Sequence, residues 1–426
     1  MAEKRDMLDD IIDIQNDWNA VKNPLGNVAD QIMADPADVP SYNPSDYKDR
    51  PRVVATSCLR HDAGGKDVCH RCLDVCPVKA IELDDKGVKI QDNCRKCGLC
   101  IAVCPTEALL AQRQMPKALY DKIARMASTY EQVYVTCTRA LGRLPKENEI
   151  LLPCVGVVSR ETWFALLSEY GNISVYLPLG ICDKCRTTTG EEAFSDAIAD
   201  AEDHTEEHIG LEVDEKEMNH EQSRAYKRSQ FVSSMTQAGT RLVTRGNPAL
   251  AGAQAVANRI QKHTNQINAL QRSLEQTTGQ KNAQDRRRLL TQKRKLVLST
   301  LQSHPKYAQG FEWKVPVCDT TRCTMCGDCA KVCPLHACEI DDGGHFSVEP
   351  TYCVNCGACV TVCEEHALTM QAIKPETMVI PDPEKEKAKA QKAQIEAAKK
   401  KSKKTLDTSL KALETFGEEL SKEYKK

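Results

Sequence analysis

Hydrophobic positions change period several times along the 426 residues, and each change marks a different kind of element. Met7, Leu8, Ile11, Ile14 and Trp18 fall at helical spacing and predict a short amphipathic helix over residues 4–20. Pro36, Pro40, Pro44 and Pro51, with Ser, Asn and Asp between them, then predict an extended linker. Two short apolar-polar runs, Ile81–Leu83 and Val88–Ile90, flank Asp84-Asp85-Lys86-Gly87 and predict a hairpin. The same arrangement returns late in the chain, where Glu339-Ile340 and His345–Val348 flank Asp341-Asp342-Gly343-Gly344.

Between the two hairpins the period is mixed. Pro116 suits the first turn of a helix reaching about Tyr130. Strands over 132–136, 149–152 and 173–177, with a helix over 160–170, alternate as in a small α/β domain with a parallel sheet. After Gly190 acidic residues dominate, among them Glu206, Glu207, Asp214 and Glu215, and predict a solvated helix followed by a loop. Val256, Ile260, Ile267, Leu270 and Leu274 predict a helix over 248–276, broken at Thr277-Thr278-Gly279. Leu289, Leu290, Val297 and Leu301 predict a second over 283–303, so the pair reads as an antiparallel helical hairpin. Its second arm carries Arg286-Arg287-Arg288 and Lys293-Arg294-Lys295, for which a solvated basic face is expected and docking to an acidic partner is the alternative. From Pro383 onward Lys, Ala and Glu predict a long charged helix, with Leu406, Leu410, Leu413 and Leu420 at helical spacing.

The expected fold class is therefore α+β and multidomain. An N-terminal helix and linker (1–51) precede a first module (52–113), an α/β domain (114–205), an acidic loop with the helical hairpin (206–314), a second module (315–373) and a charged helical tail (374–426). Aromatic residues make up only 5% and charged residues 28%, which suits small modules joined by polar helices better than one large core. A net charge of −2 advertises no nucleic-acid partner. No stretch of 18 apolar residues predicts a transmembrane segment, and residues 1–6 show no apolar signal region. With 22 cysteines and no sign of export, metal sites are expected rather than disulfides, and a reducing cytoplasm, in an anaerobe, is the expected location.

Those cysteines are strictly spaced. Cys94, Cys97, Cys100 and Cys104-Pro105 form a C-x2-C-x2-C-x3-C-P run, the spacing that aims three thiolates from one short loop at a [4Fe-4S] cube. Gly98 relieves crowding where that loop turns. Cys323, Cys326, Cys329 and Cys333-Pro334 repeat the run; so do Cys353, Cys356, Cys359 and Cys363, except that Glu364 stands where proline is usual. An altered copy precedes the first: Cys69, Cys72 and Cys76-Pro77, with Lys66 at the place of the first cysteine and Cys58 eight residues further back. Cys58 is taken as the displaced ligand. The long loop holding Asp62, Gly64, Gly65 and Lys66 is expected to be freer and wetter than its counterparts, making this the expected entry or exit point for electrons.

On these runs the two modules resemble the bacterial dicluster ferredoxin family. The resemblance implies four [4Fe-4S] clusters and crossed ligand sets. The first set would be Cys58, Cys69, Cys72 and Cys104, and the second Cys94, Cys97, Cys100 and Cys76. The third would be Cys323, Cys326, Cys329 and Cys363, and the fourth Cys353, Cys356, Cys359 and Cys333. In the α/β region, Cys137 and Cys154 end strands, and Gly180-Ile181-Cys182-Asp183-Lys184-Cys185 follows the third. With Leu152-Pro153-Cys154-Val155-Gly156 and the Ala165-Leu166 helix, this stretch resembles the delta subunit of methyl-viologen-reducing hydrogenase. That likeness implies a further [2Fe-2S] or [4Fe-4S] cluster on Cys137, Cys154, Cys182 and Cys185; a redox-active dithiol and plain buried thiols are the alternatives. Cys338 takes the place of Ile81 in the repeat and is expected in the core. Cys318 is expected to be a buried strand thiol, with a spare ligand as the alternative.

No dinucleotide-binding glycine fingerprint, P-loop or nucleophile triad is present. The resulting expectation is an iron–sulfur electron-transfer protein, the relay subunit of an anaerobic oxidoreductase with a redox protein as partner. Disulfide-reductase-like catalysis at the central cysteines and an iron–sulfur carrier or redox sensor remain open alternatives.

Overall fold

The computed structural model describes residues 50–84, 87–224, 227 and 250–381, without the side chains of 250–258 and 260. The expected N-terminal helix, nearly all of the linker and the charged tail lie outside the described residues. Residues to Val379 belong to one unit, and those from Ile380 belong to a second.

The first module is two antiparallel ribbons joined through the cysteine loops. β1 (Arg52–Val53) and β2 (Ile81–Asp84) are followed by β3 (Gly87–Ile90) and β4 (Leu109–Leu110). β2 pairs with β3 as the expected hairpin, Ile81 opposite Ile90, while β1 pairs with β4 and so closes the module. Ile81, Ile101, Ala108, Leu109 and Met115 are buried between the ribbons, and Val53, Leu83, Val88 and Ile90 pack around them.

A four-stranded sheet follows, formed by β5 (Val133–Cys137), β6 (Glu149–Leu152), β7 (Ile173–Tyr176) and β8 (Gly210–Glu212). Its order is β6-β5-β7-β8, and every pairing is parallel. All residues of β5, β6 and β7 are buried, as parallel strands covered on both faces require. β8 is a departure: an acidic loop is expected there, yet Ser174–Tyr176 pair with Gly210–Glu212. Helices α1 (Pro116–Thr129), α2 (Arg160–Leu167) and α3 (Gly190–Thr205) accompany the sheet. Trp163 and Phe164 of α2 are fully buried. Ser159 caps α2 by accepting from the Thr162 N–H.

The two-helix segment departs further. α4 (Leu250–Thr278) ends as expected at Gly279, but α5 spans Gln292–Ser303 rather than starting near 283. Thr291 caps α5, and residues 279–291 instead lie along the C-terminal module. There Leu289 N–H bonds Leu335 O, and Arg288 pairs with Glu339 at 2.8 Å.

The expected solvated basic face is overturned at Lys293, which is 4% exposed. Its ammonium donates to the carbonyls of Ile101, Ala102 and Cys104 in the first module. Arg294 donates to Pro350 O and Thr351 O in the other module, at 2.9 and 3.0 Å, and lies over Trp313. Glu107 completes the grip, accepting from the N–H groups of Gln292 and Lys293 at the start of α5.

The C-terminal module repeats the first. β9 (Lys314–Cys318) pairs with β12 (Leu368–Ala372), and β10 (Cys338–Ile340) pairs with β11 (Phe346–Val348), all antiparallel. Among the described residues no helix is long and apolar enough to cross a membrane.

Candidate iron–sulfur centres

The cysteine loops share one backbone solution. In the three regular runs the residue before the second cysteine is left-handed: Lys96 (φ 59°), Met325 (60°) and Asn355 (53°). The glycine after it is left-handed as well, at Gly98 (81°), Gly327 (84°) and Gly357 (77°), and a one-turn helix begins there. This winding turns N–H groups toward sulfur: Lys96 N donates to Cys94 Sγ and Met325 N to Cys323 Sγ, both at 3.4 Å.

A second turn recurs in all four runs. Three residues after the last cysteine stands a left-handed residue: Lys79 (50°), Glu107 (53°), His336 (53°) or His366 (45°). An alanine follows each. Ala80, Ala108 and Ala367 donate their N–H to Cys76, Cys104 and Cys363 Sγ at 3.2–3.3 Å, and the Ala337 N–H bonds the Cys333 sulfur. Glu364 in place of proline leaves this turn intact.

These loops gather the thiols in fours. Burial pushes Cys72 up to about 12, and facing Cys104, Cys69 and Cys58 add to it. Cys58 is raised likewise, by burial and then by Cys104 and Cys69. The four line a cleft of about 380 Å³ with Leu83, Val88 and Leu109. Burial raises Cys97 and Cys100; Cys97 faces Cys76 and Cys94, and Cys100 faces Cys97, Cys72, Cys94 and Cys76. In the C-terminal module Cys323, Cys326, Cys329 and Cys363 line a cleft of about 580 Å³. Cys333, Cys353, Cys356 and Cys359 line another of about 400 Å³. Burial pushes Cys356 up to about 12, with Cys333, Cys353 and Cys359 facing it.

The loop after Cys58 is divided: Asp62, Gly64 and Gly65 are exposed, as expected of a wetter loop, while its apolar residues are held. Leu59 is 3% and Ala63 4% exposed. Successive turns tie His61 N to Cys58 O, Ala63 N to Arg60 O and Lys66 N to Ala63 O. Arg60 also donates to Asp84 O and Cys69 O. The loop is held because Leu59 and Ala63 pack on the C-terminal module.

The central cysteines are gathered as well. Cys137 ends β5, Cys154 follows β6, and Cys182 and Cys185 follow β7, all at the carboxyl edge of the sheet. Cys154 is pushed up to about 12 by burial, then by facing Cys137, Cys97 and Cys185. Cys182, raised to about 11 by burial, also faces Glu191, Cys137 and Cys185. Thr187 N donates to Cys185 Sγ at 3.4 Å. Gly190 opens α3 directly against Cys154, where a Cβ would stand 2.7 Å from the sulfur.

Of the two remaining thiols, Cys338 lies where expected and Cys318 does not. Cys338 is in the core, 2% exposed, and it also hydrogen-bonds the sulfurs of Cys333 and Cys359. Cys318 is only half-buried, hydrogen-bonds the Cys323 thiol and lines the third cleft. Its position five residues before Cys323, at the end of a strand paired across to Leu368, was the available signal.

Residues 67–108 match a family model described as a 4Fe-4S dicluster domain, and residues 322–368 match a second with the same description. The chain carries two ferredoxin-type 4Fe-4S domains. Cys58 and Cys318 lie just outside the matched stretches. No curated protein and no solved structure matches the chain.

Four thiols around a cleft, with N–H groups turned onto their sulfurs, fit a cluster: the sulfurs meet backbone donors and, at Cys58, Cys137 and Cys353, the nearby charge of Arg60, Arg139 and Arg294. Among the described residues no group of three or more His, Cys, Asp or Glu forms a site for a single metal ion.

Proposed function

We propose that the chain is a multi-cluster electron relay, the wiring subunit of an anaerobic, cytoplasmic oxidoreductase complex. The carrying observation is that twenty cysteines gather in five groups of four, each group drawn from separate parts of the chain. In this reading Cys58, Cys69, Cys72 and Cys104 hold one [4Fe-4S] cluster, and Cys94, Cys97, Cys100 and Cys76 the next. Cys323, Cys326, Cys329 and Cys363 hold a third, and Cys353, Cys356, Cys359 and Cys333 a fourth. Cys137, Cys154, Cys182 and Cys185 hold a fifth centre, of [2Fe-2S] or [4Fe-4S] type, as in the hydrogenase delta subunit that this segment resembles. Such clusters supply one-electron couples when bound. The chain's own residues anchor them, exclude water and set the hydrogen bonding at sulfur, which tunes potential. Gathering of four central thiols, rather than an isolated Cys182–Cys185 pair, favours a held cluster over thiol catalysis.

The test is iron and sulfide analysis of anaerobically purified protein. About sixteen iron atoms are expected from the two modules, rising to about eighteen or twenty with the central site filled. Stoichiometric zinc, or iron near background after expression with full iron supply, defeats the reading.

A further inference from the structure

The insert that lengthens the first cysteine run faces the other module. Leu59 and Ala63 pack with Val332, Ala358, Val362 and Leu368 in one buried cluster. Burying a leucine this fully contributes about 2 kcal/mol. Lys66 reaches across to Val362 O at 2.9 Å and to the Glu364 carboxylate at 3.1 Å. The two positions that depart from the run pattern, one in each module, therefore meet. The clefts of the first and fourth sets also share two wall residues, Leu59 and Thr106.

The other sets extend the series on either side. Cys154 of the central set faces Cys97 of the second, across the contact where a Cβ on Gly98 would collide with Val157. Cys100 of the second faces Cys72 of the first. Cys359 of the fourth faces Cys329 of the third. The resulting order is central, second, first, fourth, third.

We propose that the two modules are joined into one conduit at a partition made by Leu59 and Thr106, so that electrons cross between modules from the first set to the fourth or back. This rests on the cluster occupancy proposed above. One electron crosses per event. It is drawn from a reduced donor protein at one end of the row and delivered to an oxidised acceptor protein at the other; no bond or proton moves. Leu59 and Thr106 are positioning residues, which keep the partition thin and dry. Lys293 and Arg294 keep the two modules pressed on it, because consecutive side chains of α5 bind backbone carbonyls of both.

The experiment is anaerobic EPR of the reduced full-length protein, with iron counted in the same samples. Cys356→Ser removes a thiol of the fourth set, and a loss of about four iron atoms is expected. The expected result is that the first module's signals then relax more slowly and lose inter-cluster broadening, although no residue of that module has changed. Unchanged first-module relaxation at that reduced iron content overturns the partition and leaves the cluster reading standing. Iron at background in the unaltered protein overturns both. Lys293→Met covers the case in which Cys356→Ser does not fold: full iron with lost broadening supports the partition, and full iron with unaltered relaxation overturns it.

Discussion

The first cysteine run of each module occupies the same place in the repeat, and the two are built differently. In the C-terminal module Cys323, Cys326 and Cys329 sit on one tight loop with Cys326 exposed. In the first module Cys58 and Cys72 are buried, and ten residues separate Cys58 from Cys69. The short loop faces outward and has a spare thiol, Cys318, beside it. The long loop turns Leu59 and Ala63 inward onto the other module and leaves Asp62, Gly64 and Gly65 exposed. An insertion that looks in sequence like a loosened site is a piece of interface, and its irregular spacing follows from packing.

Exchanging ligands breaks this comparison most sharply. Cys58→Ser is expected to cost one cluster, about four iron atoms, or to leave a three-iron form, with the iron content of the second module unchanged. Cys323→Ser is expected to cost less, because the Cys318 thiol already hydrogen-bonds the Cys323 thiol and stands ready to replace it. Equal iron loss in the two variants refutes the asymmetry, and Cys318→Ser combined with Cys323→Ser removes the substitute.

Next in size is Lys293→Met. It leaves three buried carbonyls without their ammonium, a loss of about 2–4 kcal/mol. A thermal midpoint unchanged from the unaltered protein sinks this account of the clasp.

Acid sharpens the comparison from outside either run. Burial, helped by Lys117, holds His263 of α4 at about 4, where it stacks on Tyr120. Because the unfolded chain binds this proton more readily, stability is complete above about pH 6.5 and falls as pH drops toward 4, by up to about 3 kcal/mol. Thermal melts of His263→Phe across that window are expected to lose this part of the slope. A slope identical to that of the unaltered protein assigns the acid sensitivity elsewhere.

The smallest effect belongs to Lys66→Met. The Lys66–Glu364 pair is partly solvated, with 35% and 79% of the side chains exposed, so its loss costs under about 1 kcal/mol and less still in high salt. A large destabilisation shifts the weight of the junction from Leu59 to this pair.

Much was legible in the sequence where the signal is local. The hairpin around residues 84–87, the parallel strands and the cysteine spacing all follow from period, turn chemistry and loop reach. β8 escaped because an edge strand of three residues in an acidic stretch has no period to read. The start of α5 escaped because Leu289 and Leu290 fit a helical pattern, although Thr291 is the residue type that caps one. Lys293 and Arg294 read as solvated because charge runs usually are; their partners lie 50 or more residues away in the chain. The inward face of the insert is likewise a contact between modules, which no local pattern encodes.

The four left-handed residues ahead of Ala80, Ala108, Ala337 and Ala367 bear on how the protein is assembled. A side chain in that conformation costs roughly 1–2 kcal/mol, and none of the four positions is glycine. Their turns point N–H groups at sulfur, an arrangement that is most favourable when the sulfur is a thiolate bound to metal. With clusters held as proposed, the return on this strain is greatest after metallation, and ripening of each module is expected to be coupled to cluster delivery. Glycine at His336 or His366 would relax the unripe chain and uncouple the two events, yielding a module that closes before it is loaded.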